Sequence, residues 1–179
     1  MLHDDFIRLL KRAKNVVAIT GAGISAESGI PTFRGAGGYW RKYQATSLAS
    51  PHAFQANPSL VWEFYHYRRC AVENCQPNAG HYALAELEAL LTENETDFLL
   101  ITQNVDGLHK VAGSRNLIEI HGSLRKVKCT KCEWKSDWRH PICSSLADLN
   151  ITADFNESPA NLDLRQYIFS RKNIHRQIF

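Results

Sequence analysis

Long apolar runs are absent from this sequence: none approaches the roughly 20 residues that a membrane-crossing helix needs. Clustered basic charge is absent too. The 21 Lys and Arg stand among 18 Asp and Glu, for a net charge of +3, which argues against nucleic acid or a polybasic membrane surface as partner. Cysteine is scarce and its count, five, is odd. Only Cys129-Thr-Lys-Cys132 has metal-ligand spacing, so a disulfide framework is not expected and a reducing compartment is. In that setting the Asn-x-Ser/Thr matches at Asn94, Asn150 and Asn156 read as chance. Asp4 and Asp5 put acid where secretory and transit signals avoid it. Residues 148–179 lack glycine and strand alternation; Leu162 to Phe179 reads as a weak helix with a basic end or as disorder.

What is present is ordinary for one globular domain: 179 residues, 44% of them hydrophobic. Phe6, Leu9, Leu10 and Ala13 recur at helical spacing behind Asp4, which predicts a helix over 5–14. Val16-Val-Ala-Ile-Thr20 is a short apolar strand running into a glycine-rich turn, the pattern of a buried parallel sheet. Asn57 and Pro58 supply a cap and a first-turn proline for a helix to about Glu73, and a second helix is expected from Asn78 to about Leu91. Phe98 to Thr102 and Leu117 to Ile120 are the next strands, followed by Gln103-Asn-Val-Asp106 and His121-Gly-Ser123. In an open α/β sheet the ligand crevice lies at the carboxyl ends of the strands, so these polar ends point to one place. The fold class expected is α/β, a partial doubly wound parallel sheet.

Gly21-Ala-Gly23 after a strand is a partial dinucleotide fingerprint, in which small residues let backbone N–H groups approach phosphate. Alone it is a weak signal. Gly21-Ala-Gly-Ile-Ser-Ala-Glu-Ser-Gly-Ile-Pro-Thr-Phe-Arg34, Thr102-Gln-Asn-Val-Asp106 and His121-Gly-Ser123 together resemble the sirtuin family, in order and separation. The resemblance covers roughly residues 5–145 and includes Pro77-Asn-Ala-Gly-His81.

The resemblance implies an NAD-dependent protein-lysine deacylase in which the acyl oxygen attacks the ribose carbon as nicotinamide leaves. His121 would be the general base that activates a ribose hydroxyl, a task suited to a neutral imidazole. Gly21, Ala22, Gly23, Ala26, Thr32, Phe33 and Arg34 would line the cofactor, the last two closing over it, and Gln103, Asn104 and Asp106 would bind nicotinamide and its ribose. Tyr65-His-Tyr-Arg68 resembles the branch of the family that removes succinyl, malonyl and glutaryl groups. Tyr65 and Arg68 fall on one helix face, where a phenol and a guanidinium can share a carboxylate, and Ala45 and Ala49 suit a widened acyl pocket. Implied partners are acyl-lysine proteins, with a monomeric chain, no nucleic acid and no membrane. The implied compartments are mitochondrion, cytosol and nucleus.

Two departures stand out. The family holds zinc with two cysteine pairs, whereas this chain offers Cys129 and Cys132, with Cys143 and His140 as makeshift completions. The family's sheet also has a second half, which is not found here, so Val16 to Thr20 is expected to be an open edge. The division expected is a partial NAD-binding region over 1–125, a partial zinc module over 126–147 and a divergent tail over 148–179. The alternative function is a catalytically impaired partial domain that binds a partner or is unstable.

Overall fold

The structure, a computed structural model, describes residues 2–32, 38–137, 140–142, 144–147 and 176–178. In chain order the elements are α1 (Leu2–Arg12), β1 (Asn15–Thr20), α2 (Ala22–Ala26), β2 (Tyr39–Trp40), β3 (Tyr43–Gln44), α3 (Ala45–Leu48), α4 (Pro51–Ala56) and α5 (Pro58–Glu73). They continue with α6 (Ala79–Glu93), β4 (Asp97–Thr102), α7 (Leu108–Ala112), β5 (Leu117–Glu119), β6 (Lys126–Cys129), β7 (Lys135–Asp137), α8 (Ser144–Ala147) and β8 (Arg176–Ile178). The chain divides into two compact units, Met1–Gly29 with Gln76–Gly122, and Ile30–Cys75 with Ser123–Phe179.

The first unit is built on a three-stranded parallel sheet in the order β1-β4-β5. Its alternation sends Val16, Ala18, Phe98, Leu100 and Leu117 to one face, where Leu10 of α1 and Leu84, Leu87 and Leu91 of α6 pack on them. Asn78 caps α6, accepting from the Gly80 N–H while His81 Nδ1 accepts from the Asn78 N–H in return. The registers Val17 to Leu99, Ile19 to Ile101 and Ile101 to Ile118 place the remaining apolar side chains on the opposite face. That face is partly open among the described residues: Val17 is 57% exposed, Ile19 69% and Ile118 48%, while Leu99 and Ile101 are half-buried. A parallel sheet is ordinarily covered on both faces, and here the second face is covered less completely than the first. Among the described strands β1 pairs with β4 alone, which makes it the expected open edge. The stripe read in α1 is also only half used, since Phe6 and Leu9 remain exposed while Leu10 packs.

The second unit centres on α5. Asn57 accepts from the Leu60 N–H and Pro58 occupies the first turn, as the sequence predicts. Trp40, Ala45, Leu48 and Phe64 form its buried cluster, with Tyr65 and Tyr67 packed against it. The β2–β3 hairpin is pinned to α5 by Arg41, whose guanidinium lies 4.4 Å over the Trp40 ring and donates to Glu63 Oε2 at 2.8 Å. Burial pushes the Glu63 carboxyl up, and this contact to Arg41 opposes it. A small antiparallel sheet, β7-β6-β8, completes the unit. Residues 176–178 are therefore a strand rather than the end of a helix: extended backbone there finds an open ladder on β6 to pair with. The rest of the expected tail helix lies outside the described residues.

Candidate functional site

Three strand ends of the first unit bring the chemistry together. At the tip of β1, Gly21 leads into α2, and a Cβ built on Gly21 or Gly23 would meet nothing within 4 Å, so the turn fronts open space. At the tip of β4, Asn104 Nδ2 donates to the Gly21 carbonyl at 3.0 Å and to Ser25 Oγ at 2.9 Å. Ser25 Oγ donates in turn to Asp106 Oδ2 at 2.8 Å, and Asp106 Oδ1 accepts from the Leu108 N–H at 2.9 Å. Both oxygens of this buried carboxylate are thus engaged, one by α2 and one by its own loop, which Gly107, at φ +79°, turns into α7. Asp106 fixes Ser25, and Ser25 fixes Asn104.

His121 stands just past β5 and is exposed. Its Nδ1 lies 3.1 Å from the Gln103 carbonyl. A carbonyl oxygen only accepts, so Nδ1 carries a proton, and in the neutral ring the lone pair is then on Nε2. Gly122, at φ +81°, turns the chain immediately after it. The geometry accordingly presents an imidazole ready to take a proton, bonded to the backbone of the residue that precedes Asn104.

Beneath these tips lies a second histidine layer. His109 Nε2 is 2.9 Å from Thr20 Oγ1, which is 2.8 Å from Thr102 Oγ1, tying β1 to β4. The His109 and His81 rings are 4.8 Å apart, and His109 Nδ1 and His81 Nε2 have no partner among the described residues. Burial holds His109 down at about 4, with His81 pushing the same way and Asp106 opposing. A histidine kept neutral when folded but titrating near 6.5 when unfolded lets the unfolded chain bind more protons below that pH. Stability is therefore full above about pH 6.5 and falls as the pH drops toward 4, by on the order of 3 kcal/mol in all. Urea midpoints measured from pH 7 to pH 4 are expected to show this decline, and His109→Gln to flatten it.

The matching family is decided by the region that carries this geometry: residues 21–150, more than half of the chain, match the Sir2 family. The chain belongs to the Sir2 family. It is 58% identical over 144 residues to the NAD-dependent protein deacylase sirtuin-5, mitochondrial, of Canis lupus familiaris, covering 80% of this chain and 46% of that protein. It is 56% identical over 128 residues to an NAD-dependent protein deacylase of Pyrococcus abyssi, covering 72% of this chain and 50% of that protein. Among solved structures, a Sir2 homolog in complex with NAD superposes with a TM-score of 0.69 at 48% identity, over 77% of this chain and 52% of that one. The chain spans about half the length of the curated relatives it matches.

Within this Sir2-family chain the remaining expected residues fall as follows. Ala22 and Ala26 lie in α2, within the strand-end unit, and Gln103 is exposed there. Thr32 is exposed and belongs to the second unit, and Phe33 and Arg34 lie outside the described residues. Tyr65 and Arg68, also in the second unit, do share one face of α5: the Arg68 guanidinium lies 5.9 Å from the Tyr65 ring and 5.6 Å over Phe64. Burial pushes the Tyr65 phenol up, and Arg68 pulls it down. Ala45 is buried in the cluster beneath them, and Ala49 is exposed.

The residues present do not fit the zinc that the family resemblance implies. Cys129 ends β6 and Cys132 lies in the loop after it, and among the described residues no group of three or more His, Cys, Asp or Glu gathers to hold a metal. His140 is exposed, and Cys143 lies outside the described residues. Sequence reasoning missed Ser25, although it sits inside the quoted glycine motif, and His81, read only as a helix start. His109 gave no signal beyond being a histidine.

Proposed function

We propose that this chain carries the nicotinamide-ribose half of an NAD-dependent protein-lysine deacylase specific for succinyl, malonyl and glutaryl groups. The observation that carries the reading is His121 held through Nδ1 by the Gln103 carbonyl, in the same strand-end unit as Asn104 and the glycine turn. Open space over Gly21 and Gly23 suits a flat sugar and its phosphates, and Gln103 and Asn104 offer amides for nicotinamide and ribose. When bound, NAD supplies a sugar carbon from which nicotinamide can leave. His121 Nε2 accepts the proton of a ribose hydroxyl. Asn104, locked through Ser25 and Asp106, orients the ribose, with Asp106 acting at one remove. Tyr65 and Arg68 receive the acyl carboxylate, and Phe33 and Arg34 exclude water. The mitochondrial names of the relatives support that compartment.

The experiment is nicotinamide release from NAD with succinyl-lysine and acetyl-lysine peptides. Arg68→Met is expected to lower kcat/KM for succinyl-lysine by about 10–100-fold, the worth of a hydrogen bond to a charged group, and to leave acetyl-lysine within twofold. An equal loss on both peptides would refute the acyl-carboxylate role.

A second reading has its own support. The exposed Val17, Ile19 and Ile118 of the sheet favour a catalytically impaired domain that binds a partner there. A flat nicotinamide trace on both peptides, together with a melting midpoint that NAD does not raise, would support that reading instead.

A further inference from the structure

We propose that His109 and Thr20 are positioning residues, a buried hydrogen-bond relay that fixes the Asn104 peptide where the ribose of NAD would lie. The relay is continuous within the first unit. His109 Nε2 lies 2.9 Å from Thr20 Oγ1, Thr20 Oγ1 donates to Thr102 Oγ1 at 2.8 Å, and the Asn104 N–H donates to the same Thr102 oxygen at 3.1 Å. Asn104 Nδ2 goes on to the Gly21 carbonyl and to Ser25 Oγ. Thr20 pairs with Thr102 in the sheet and immediately precedes Gly21, so one hydroxyl holds the root of the glycine turn and, through Thr102, the amide past the tip of β4. Neither His109 nor Thr20 is placed on the cofactor; each acts through Asn104.

The far end of the relay sets its direction. The Asn78 N–H donates to His81 Nδ1 at 3.3 Å, so the neutral His81 ring carries its proton on Nε2. His81 Nε2 and His109 Nδ1 are both buried and without a hydrogen-bond partner among the described residues, on rings 4.8 Å apart. A donor beside an acceptor is the matched arrangement there, whereas two donors would repel. His109 therefore keeps its lone pair on Nδ1 and donates from Nε2 to Thr20, which is free to point its own O–H at Thr102. Burial, which holds the His109 ring neutral, preserves that lone pair. The same end also grips α2. Asn78 Nδ2 donates to the Ile24 carbonyl at 2.7 Å and to Ser28 Oγ at 3.0 Å, and a Cβ on Gly80 would come within 3.3 Å of Ile24 Cγ1. One network thus anchors the start of α6, the helix that follows the glycine turn and the tips of β1 and β4.

The test compares Thr20→Val, which keeps the side chain's shape and removes its hydroxyl, with Thr20→Ser, which keeps the hydroxyl. In the full chain without NAD, exchange of the Asn104 amide with solvent is expected to accelerate by at least about 10-fold in Thr20→Val and to stay within about threefold in Thr20→Ser. In NAD titrations, which rest on the proposed function, Thr20→Val is expected to weaken affinity by about 10-fold and Thr20→Ser by less than about threefold. Adding His109→Gln to Thr20→Val should cost less than about twofold more, because the relay is already cut. Imidazole nitrogen spectra should show Nε2–H at both His81 and His109. An Asn104 amide unmoved by Thr20→Val, equal losses in the valine and serine variants, or an Nδ1–H tautomer at His109 would each overturn the proposal. A chain that takes up no NAD counts against the proposed function alone, and the Asn104 amide and the His109 tautomer then decide the relay by themselves.

Discussion

Replacing His121 by alanine is expected to lower kcat for a succinyl-lysine peptide by about 10²–10⁴-fold, the range associated with losing a positioned general base. The reasoning runs through one hydrogen bond. The Gln103 carbonyl obliges Nδ1 to carry the proton, so the only ring nitrogen able to take one from a ribose hydroxyl is Nε2. Alanine removes that lone pair without touching Asn104, Ser25 or Asp106, because none of their hydrogen bonds passes through the imidazole. His121 is exposed, so its loss opens no cavity in the sheet. The melting midpoint of His121→Ala should therefore stay within about 1 °C of the unchanged chain while turnover falls. A variant that keeps more than a third of its turnover would remove His121 from the chemistry.

Phe64→Ala is the substitution expected to cost most stability, about 3–5 kcal/mol. Phe64 is 1% exposed and is the hub of the second unit: its ring lies 5.5 Å from that of Trp40 and 5.4 Å from that of Tyr65, with the Arg68 guanidinium over its face. Truncation leaves a cavity between α5 and the β2–β3 hairpin, and the Arg41 to Glu63 bond beside it keeps that hairpin from collapsing inward. Two readouts separate from one another here. Thermal unfolding should move down by roughly 6–20 °C for a chain of this size. KM for succinyl-lysine should rise with it, since Arg68 loses the surface on which it rests. Phe64→Leu, which refills much of the volume, is expected to recover more than half of the stability. A loss below about 1 kcal/mol for the alanine variant would mean the aromatic cluster is not what holds α5 in place.

Much of the first unit is legible in the sequence. Apolar runs of four or five residues ending in polar ones gave β1, β4 and β5, the cap Asn78 gave the start of α6, and in the second unit Asn57 gave that of α5, because local chemistry decides those features. The open edge at β1 followed instead from the family resemblance, which implies strands beside it that are not found here. Side-chain networks were not legible in this way. That Asp106 accepts from Ser25 and Leu108, with Gly107 at positive φ beside it, is a tertiary arrangement that spacing alone does not reveal. The buried pairing of His81 with His109 joins residues from the start of α6 and from α7, and only tertiary packing brings them together. β8 was missed because an edge strand borrows its ladder from a partner far away in sequence, with no alternation of its own required.

The apolar face of the sheet connects these points. Val17, Ile19 and Ile118 would be core residues in a sheet covered on both sides, and their exposure is the physical reason to measure NAD binding directly on this chain. The most direct measurement is a nitrogen–proton spectrum of the imidazoles, recorded with and without NAD and assigned with His121→Gln. The account predicts that His121 is the Nδ1–H tautomer, that its Nε2 signal moves as NAD is added, and that buried His81 and His109 stay neutral and shift little. An Nε2–H tautomer at His121, or a His121 signal unmoved at saturating NAD, would contradict it.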